Sequence, residues 1–208
     1  MTKVKICGIT NLEDAGRAVQ LGADMLGFNF YEKSPRYVSP GSVRNIIDKI
    51  GYKARAVGVF VNEENERLLQ ITIDADVSLV QFHGDETEYP LDLIRDNLGL
   101  EVIKALRVHD GLTQDPAHFG KASFLVDGCS PGRYGGTGTL ADWEAARQLV
   151  SKGYSIYLAG GLNPDNVADA IRQVRPYAVD VASGVESSPG KKDPKKLEAF
   201  IKAAKEAI

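Results

Sequence analysis

The sequence is short of several things, and each shortage excludes something. Two cysteines, Cys7 and Cys129, stand in 208 residues, far too few for a disulfide scaffold. The three histidines are His83, His109 and His118, and no His-x-His, His-Glu-x-x-His or Cys-x-x-Cys spacing occurs, so no metal centre is expected. Neither sign of charge dominates: 25 Lys and Arg against 28 Asp and Glu leave a net charge of −3. That balance carries no electrostatic footprint for nucleic acid or an anionic membrane. No apolar run approaches the roughly 18 residues of a membrane span. The segment from Met1 to Gly8 has too few apolar residues for a signal peptide. A cytoplasmic, reducing location is the expectation.

What the chain does have is a rhythm. A short apolar run, a polar or glycine-rich turn and an amphipathic segment recur from end to end. The runs are Val4 to Ile9, Met25 to Tyr31, Arg55 to Val61, Ser78 to Phe82, Glu101 to Val108, Ser123 to Val126, Tyr154 to Ala159 and Ala178 to Ala182. Their starts lie roughly 21 to 31 residues apart, the length of a strand plus a crossover helix. Most are continuously apolar, as parallel strands covered on both faces require. Between them, Thr10-Asn11-Leu12-Glu13 reads as a capping box. Ser39-Pro40, Asn163-Pro164 and Asp193-Pro194 each set a capping side chain before a proline at the first helical position. Gly22, Gly51, Gly99 and Gly153 stand where helices should stop. The fifth helix, around Thr113 to Lys121, is the weakest, broken by Pro116 and Gly120.

Eight strands alternating with about eight helices fit an α/β fold, a single-domain (β/α)8 TIM barrel over residues 1–208. An open doubly wound sheet fits less well, because Cys7-Gly8-Ile9-Thr10 lacks a dinucleotide fingerprint.

In such a barrel reactive groups sit where strands end and the following loops begin. Gly160-Gly161 after strand seven and Ser183-Gly184 after strand eight are either tight turns or, as neighbouring glycine turns, a phosphate cradle. Cys7 is either buried filler or, at the functional end of strand one, a base whose pKa lies a modest shift below the reference of about 8.5. Asp127 ends the apolar run Phe124-Leu125-Val126. It is either a loop cap or a partly desolvated acid with a raised pKa. His83 reads as ligand, base or hydrogen-bonded rim residue. Arg36 is a solvated charge or a planar fork for a substrate carboxylate. The long loops Glu32 to Pro40 and Gly128 to Asp142 hold Arg36 and the glycines Gly132, Gly135, Gly136 and Gly138.

These residues resemble the phosphoribosylanthranilate isomerase family along essentially the whole chain. The resemblance rests on Lys5-Ile6-Cys7-Gly8-Ile9-Thr10, Ser34-Pro35-Arg36-Tyr37, Val59-Phe60-Val61-Asn62, Val80-Gln81-Phe82-His83-Gly84, Gly135-Gly136-Thr137-Gly138 and Leu158-Ala159-Gly160-Gly161-Leu162. It ends in Asp180-Val181-Ala182-Ser183-Gly184-Val185-Glu186. Ala182 departs from the serine frequent in the family, and Phe82 from leucine. The resemblance implies an Amadori rearrangement in tryptophan biosynthesis with no cofactor and no metal. It implies Cys7 as general base and Asp127 as general acid, with Arg36 on the anthranilate carboxylate. Gly160, Gly161, Ser183 and Gly184 would surround the phosphate, and His83 and Asp180 would line the pocket. The implied partner is a small phosphorylated substrate, and the assembly a monomer or homodimer. The rivals are a related histidine-pathway isomerase, which would carry an aspartate where Cys7 stands, and a non-catalytic phosphate-binding barrel, which would tolerate Cys7→Ala.

Overall fold

The strands of the chain close on themselves. The structure is a computed structural model and describes residues 1–108, 114–128 and 141–207. Its strands are β1 (Lys3–Cys7), β2 (Met25–Asn29), β3 (Arg55–Phe60), β4 (Leu79–Phe82), β5 (Glu101–Val108), β6 (Ser123–Gly128), β7 (Ile156–Leu158) and β8 (Ala178–Val181). All pair in parallel in sequence order, and β8 pairs with β1 to complete an eight-stranded barrel. Helices α1 (Leu12–Gln20), α2 (Pro40–Ile50), α3 (Asn65–Ala75), α4 (Glu88–Leu98), α5 (Trp143–Ser151), α6 (Val167–Val174) and α7 (Pro194–Lys205) connect or follow the strands.

Alternation along each strand sorts side chains into two apolar layers. Met25, Val57, Leu79, Ile103, Ala105, Leu125, Tyr157, Ala159 and Ala178 form one buried cluster inside the barrel. Val4, Ile6, Leu26, Phe28, Val80, Phe124, Val126, Leu158 and Val179 face the other way into the larger cluster shared with the helices. Burial on both faces is why the strand sequences read as continuous apolar runs. Each large aliphatic or aromatic side chain so buried contributes about 1.5–3 kcal/mol.

Several local expectations shift. The cap of α1 is Asn11, whose side chain accepts from the Asp14 N–H at 2.9 Å. Thr10 instead donates its hydroxyl to the Gly190 carbonyl at 2.6 Å, so the capping box moves on by one residue. Ser39 and Asp193 cap α2 and α7 as their prolines suggest. Asn163 braces a turn, accepting from the N–H groups of Asp165 and Asn166 at 2.8 and 3.2 Å, and α6 begins only at Val167. The fifth crossover contains a 3-10 turn, Pro116–Phe119, ended by Gly120 at φ +57°. Phe119 is buried edge-on against Phe124, so a short turn still covers that side of the sheet. After β8, a 3-10 turn (Ser183–Val185) leads into an antiparallel hairpin, β9 (Glu186–Ser188) and β10 (Lys191–Lys192), that no periodicity in the sequence announces.

Candidate active site

A cavity of about 620 Å³ opens at the carboxyl ends of the barrel strands. All nine residues singled out from the sequence line it: Cys7, Arg36, His83, Asp127, Gly160, Gly161, Asp180, Ser183 and Gly184. His118 lies in the 3-10 turn after β5 and is not in the wall. Cys129, His109 and the glycines Gly132, Gly135, Gly136 and Gly138 lie outside the described residues. Among the described residues, no group of three or more His, Cys, Asp or Glu could hold a metal ion.

One wall is built from β1, β2 and β8. Lys5 and Cys7 are two residues apart on β1 and so share the inner face. Lys5 is fully buried, and its Nζ donates to Asp180 Oδ1 at 2.9 Å, across the register pair that joins β1 to β8. Gly27 on β2 leaves the thiol its space, because a Cβ there would come within 2.8 Å of Cys7 Sγ. Burial pushes the Cys7 thiol above its ordinary value, and the pull of Lys5 toward the thiolate does not overcome it. The shift is thus opposite in direction to the one expected from the sequence. Desolvation pulls Lys5 down, but Asp180 and Cys7 together hold it above the usual lysine range, so a buried ammonium stands ready beside the thiol.

The facing wall carries Asp127 and His83. Asp127, at the end of β6, places Oδ2 at 3.3 Å from His83 Nε2, with both side chains about one-seventh exposed. His83 Nδ1 is 2.8 Å from Gln81 Nε2. With the amide nitrogen donating, the imidazole proton sits on Nε2 and points at the carboxylate. Gln81 is buried, and its Oε1 has no partner among the described residues. The loop after β4 is braced from behind. Lys104, buried on the outward face of β5, donates to the Gly84 carbonyl at 2.8 Å and to Glu86 at 2.9 Å.

Arg36 arrives on the loop after β2. Asn29 shapes that loop, accepting from the Tyr31 N–H at 2.9 Å and donating to Ser34 Oγ at 3.2 Å. Ser34 Oγ in turn accepts from the Arg36 N–H at 3.1 Å. The guanidinium crosses over Gly8, whose φ is +73° and where a Cβ would lie 2.5 Å from Arg36 Cδ. It then meets Glu186 on β9, with Nη2 to Oε2 at 2.7 Å. Hydrogen bonding to Glu186 raises the guanidinium above its ordinary value, so it stays charged. Glu186 and its second partner, Lys192, were not singled out from the sequence. Glu186 appears only as the last residue of a motif, and Lys192 as one of two lysines after a glycine.

The remaining wall is nearly bare backbone. Gly160 and Gly161 both have left-handed φ, +73° and +61°, accessible to glycine at little cost. A side chain at Gly160 would overlap the Gly128 backbone, and one at Gly184 would overlap the Leu162 carbonyl. The loops after β6, β7 and β8 therefore touch main chain to main chain, and only glycine permits it. Among the described residues, this wall offers backbone amides, a hydroxyl at Ser183 and no anionic side chain, which suits a phosphate.

With this geometry in hand, the comparisons with known proteins are specific. The family model described as N-(5'-phosphoribosyl)anthranilate (PRA) isomerase matches residues 4–203. The N-(5'-phosphoribosyl)anthranilate isomerase of Trichlorobacter lovleyi is 52% identical over 209 residues, covering 100% of each chain. The crystal structure of phosphoribosyl anthranilate isomerase from Thermotoga maritima is similar over 99% of both chains, with 42% identity and a TM-score of 0.84. A phosphoribosyl anthranilate isomerase in complex with reduced 1-(o-carboxyphenylamino)-1-deoxyribulose 5-phosphate is similar over 99% of both chains, at 41% identity and a TM-score of 0.81.

Proposed function

The chain belongs to the N-(5'-phosphoribosyl)anthranilate isomerase family, and from that premise we propose how its cavity works. It is an aldose–ketose isomerase of tryptophan biosynthesis. It converts N-(5'-phosphoribosyl)anthranilate to 1-(2-carboxyphenylamino)-1-deoxyribulose 5-phosphate, with residues 1–208 working as one barrel unit. One observation carries the mechanism: Cys7 and Asp127 stand on β1 and β6 at the mouth of one cavity, with Arg36 and the glycine loops also in its wall.

The substrate is anionic at both ends. The phosphate lies against Gly160, Gly161, Ser183 and Gly184, where amide dipoles and absent side chains allow close approach. The ring carboxylate meets Arg36, whose planar fork suits it. Held this way, the sugar ring oxygen lies toward Asp127. Asp127 donates a proton to that oxygen as the anilinic nitrogen lone pair expels it, which opens the furanose to a protonated Schiff base. Cys7, as thiolate, takes the proton from C2, and the electron pair moves to give the enolamine. Tautomerisation of the enolamine to the ketone completes the reaction. His83 orients Asp127 through Nε2, and Lys5, braced by Asp180, supplies the cation that the thiolate needs in a buried site. No metal or cofactor takes part. The free thiol suits a reducing compartment, in keeping with a cytoplasmic site of action. Among the described residues, no helix is long and apolar enough to cross a membrane.

The test is turnover of freshly made N-(5'-phosphoribosyl)anthranilate, followed by its fluorescence, in wild type, Cys7→Ala and Asp127→Asn. Each variant is expected to fold normally and turn over at least about a hundredfold more slowly, the usual scale for losing an acid or base. Near-normal turnover by either variant assigns the chemistry to another group. Ligand binding without turnover in wild type leaves only a phosphate-binding barrel.

A further inference from the structure

We infer that Glu186 is a positioning residue that decides which edge of the Arg36 guanidinium meets the ring carboxylate, with the β9–β10 hairpin as its bracket. The inference rests on the reading of Arg36 as the carboxylate clamp.

Three observations support it. The first is the geometry of the pair. Arg36 Nε lies 2.9 and 3.2 Å from Glu186 Oε1 and Oε2, and Nη2 lies 2.7 Å from Oε2. This is a side-on contact that uses the Nε–Nη2 edge. The Nη1–Nη2 edge is left for a second bidentate partner, and Arg36 lines the cavity.

The second is how Glu186 is itself held. Its side chain is only 4% exposed, so it reaches a ligand through Arg36 rather than directly. Lys192, fully buried on β10, donates to Glu186 Oε1 at 3.0 Å, to the Cys7 carbonyl at 2.6 Å and to the Ala182 carbonyl at 3.3 Å. The Gly190 N–H at the hairpin turn adds a donor to Oε1 at 3.3 Å. Burial alone would raise the carboxyl pKa, but hydrogen bonds from Arg36 and Lys192 hold it below the usual range, so it is ionised when the enzyme works.

The third is charge. Glu186 stands between Arg36 and Lys192; burial pulls the Lys192 ammonium down and the Glu186 carboxylate opposes that pull, while the guanidinium stays charged to meet an incoming carboxylate. Without Glu186, two cations would stand together with nothing to aim the guanidinium.

Binding of two probes separates aim from general damage. One is 1-(2-carboxyphenylamino)-1-deoxyribitol 5-phosphate, and the other is the phenylamino compound that lacks the carboxylate. Calorimetry on wild type, Glu186→Gln, Arg36→Met and the double variant gives four affinities for each probe. Glu186→Gln sets an amide donor against the donors of Arg36 and Lys192. It is expected to weaken the carboxylated probe about tenfold, the scale of one charge-assisted hydrogen bond, and to leave the plain probe within about twofold. In the Arg36→Met background it should add nothing. Equal weakening of both probes, or of neither, overturns the inference. If Arg36→Met itself fails to discriminate the probes, the clamp reading fails first and the inference with it. Should Glu186→Gln not fold, Glu186→Asp carries the same expectation, since it keeps a charge for Lys192 but withdraws it from Arg36 by one methylene.

Discussion

The floor and the mouth of the barrel are made by the same strands and differ in almost everything else. At the floor, Met25, Val57, Leu79, Ile103, Leu125 and Tyr157 fill the interior with apolar volume. Among the described residues, even the Tyr157 hydroxyl finds only Met25 Sδ, at 3.7 Å. At the mouth, the same inward positions one or two steps along the strands hold Cys7, Gln81, Asp127 and Asp180, with Lys5 beneath them. A floor of that kind is stabilised by area removed from water and suffers when volume is lost. The mouth is held by ion pairs and hydrogen bonds whose net contribution to folding is small, because desolvation offsets the attraction. Stability and chemistry therefore occupy opposite ends of one structure.

Breaking that division should show it most clearly at the floor. Leu125→Ala would leave a cavity in the inner cluster and is expected to cost about 2–5 kcal/mol in denaturant unfolding. Substrate affinity of the protein that remains folded should be unchanged. A matching loss of affinity at temperatures where the variant is fully folded would mean that floor packing also sets the mouth.

At the boundary, Gly8→Ala is expected to cost roughly 1–2 kcal/mol through its positive φ. It should also displace Arg36, since the new methyl would meet Cδ at 2.5 Å. Binding of the carboxylated probe should fall while binding of inorganic phosphate is kept. Loss of phosphate binding instead would place the damage in the glycine loops.

Burial raises the Cys7 thiol, so the thiolate, the reactive form, accumulates only as pH climbs past the ordinary thiol value. Alkylation of the Cys7 peptide by iodoacetamide, followed by mass spectrometry, should be slower at neutral pH than that of glutathione. Its midpoint should lie at higher pH. A midpoint below that of glutathione would show that Lys5 prevails over desolvation.

Much of the fold was legible from local pattern. All eight strand runs were visible, because burial on both faces writes each as a short apolar stretch and the crossovers space them. Asn11 displaced Thr10 as the cap because the Thr10 hydroxyl is taken by Gly190, a residue 180 positions away. The β9–β10 hairpin was illegible: its strands, Glu186–Ser188 and Lys191–Lys192, are short and polar and show no alternation. The nine residues expected at the site all line the cavity, because a barrel brings its strand ends and the loops that follow them to one mouth, and those are local features of the sequence. Their partners are not. Lys5 and Asp180 are 175 positions apart, and Arg36 and Glu186 are 150 positions apart.

The barrel, the family resemblance and the side chains at the mouth can be read along the chain, because periodicity, turn residues and strand ends are properties of neighbouring residues. The pairings depend on closure of the barrel: Lys5 with Asp180, His83 with Asp127, and Glu186 with both Arg36 and Lys192. Closure also turned the expected downward shift of Cys7 into an upward one. Desolvation and Coulomb forces depend on what lies within a few ångströms in space, and closing a barrel brings together groups from opposite ends of the chain.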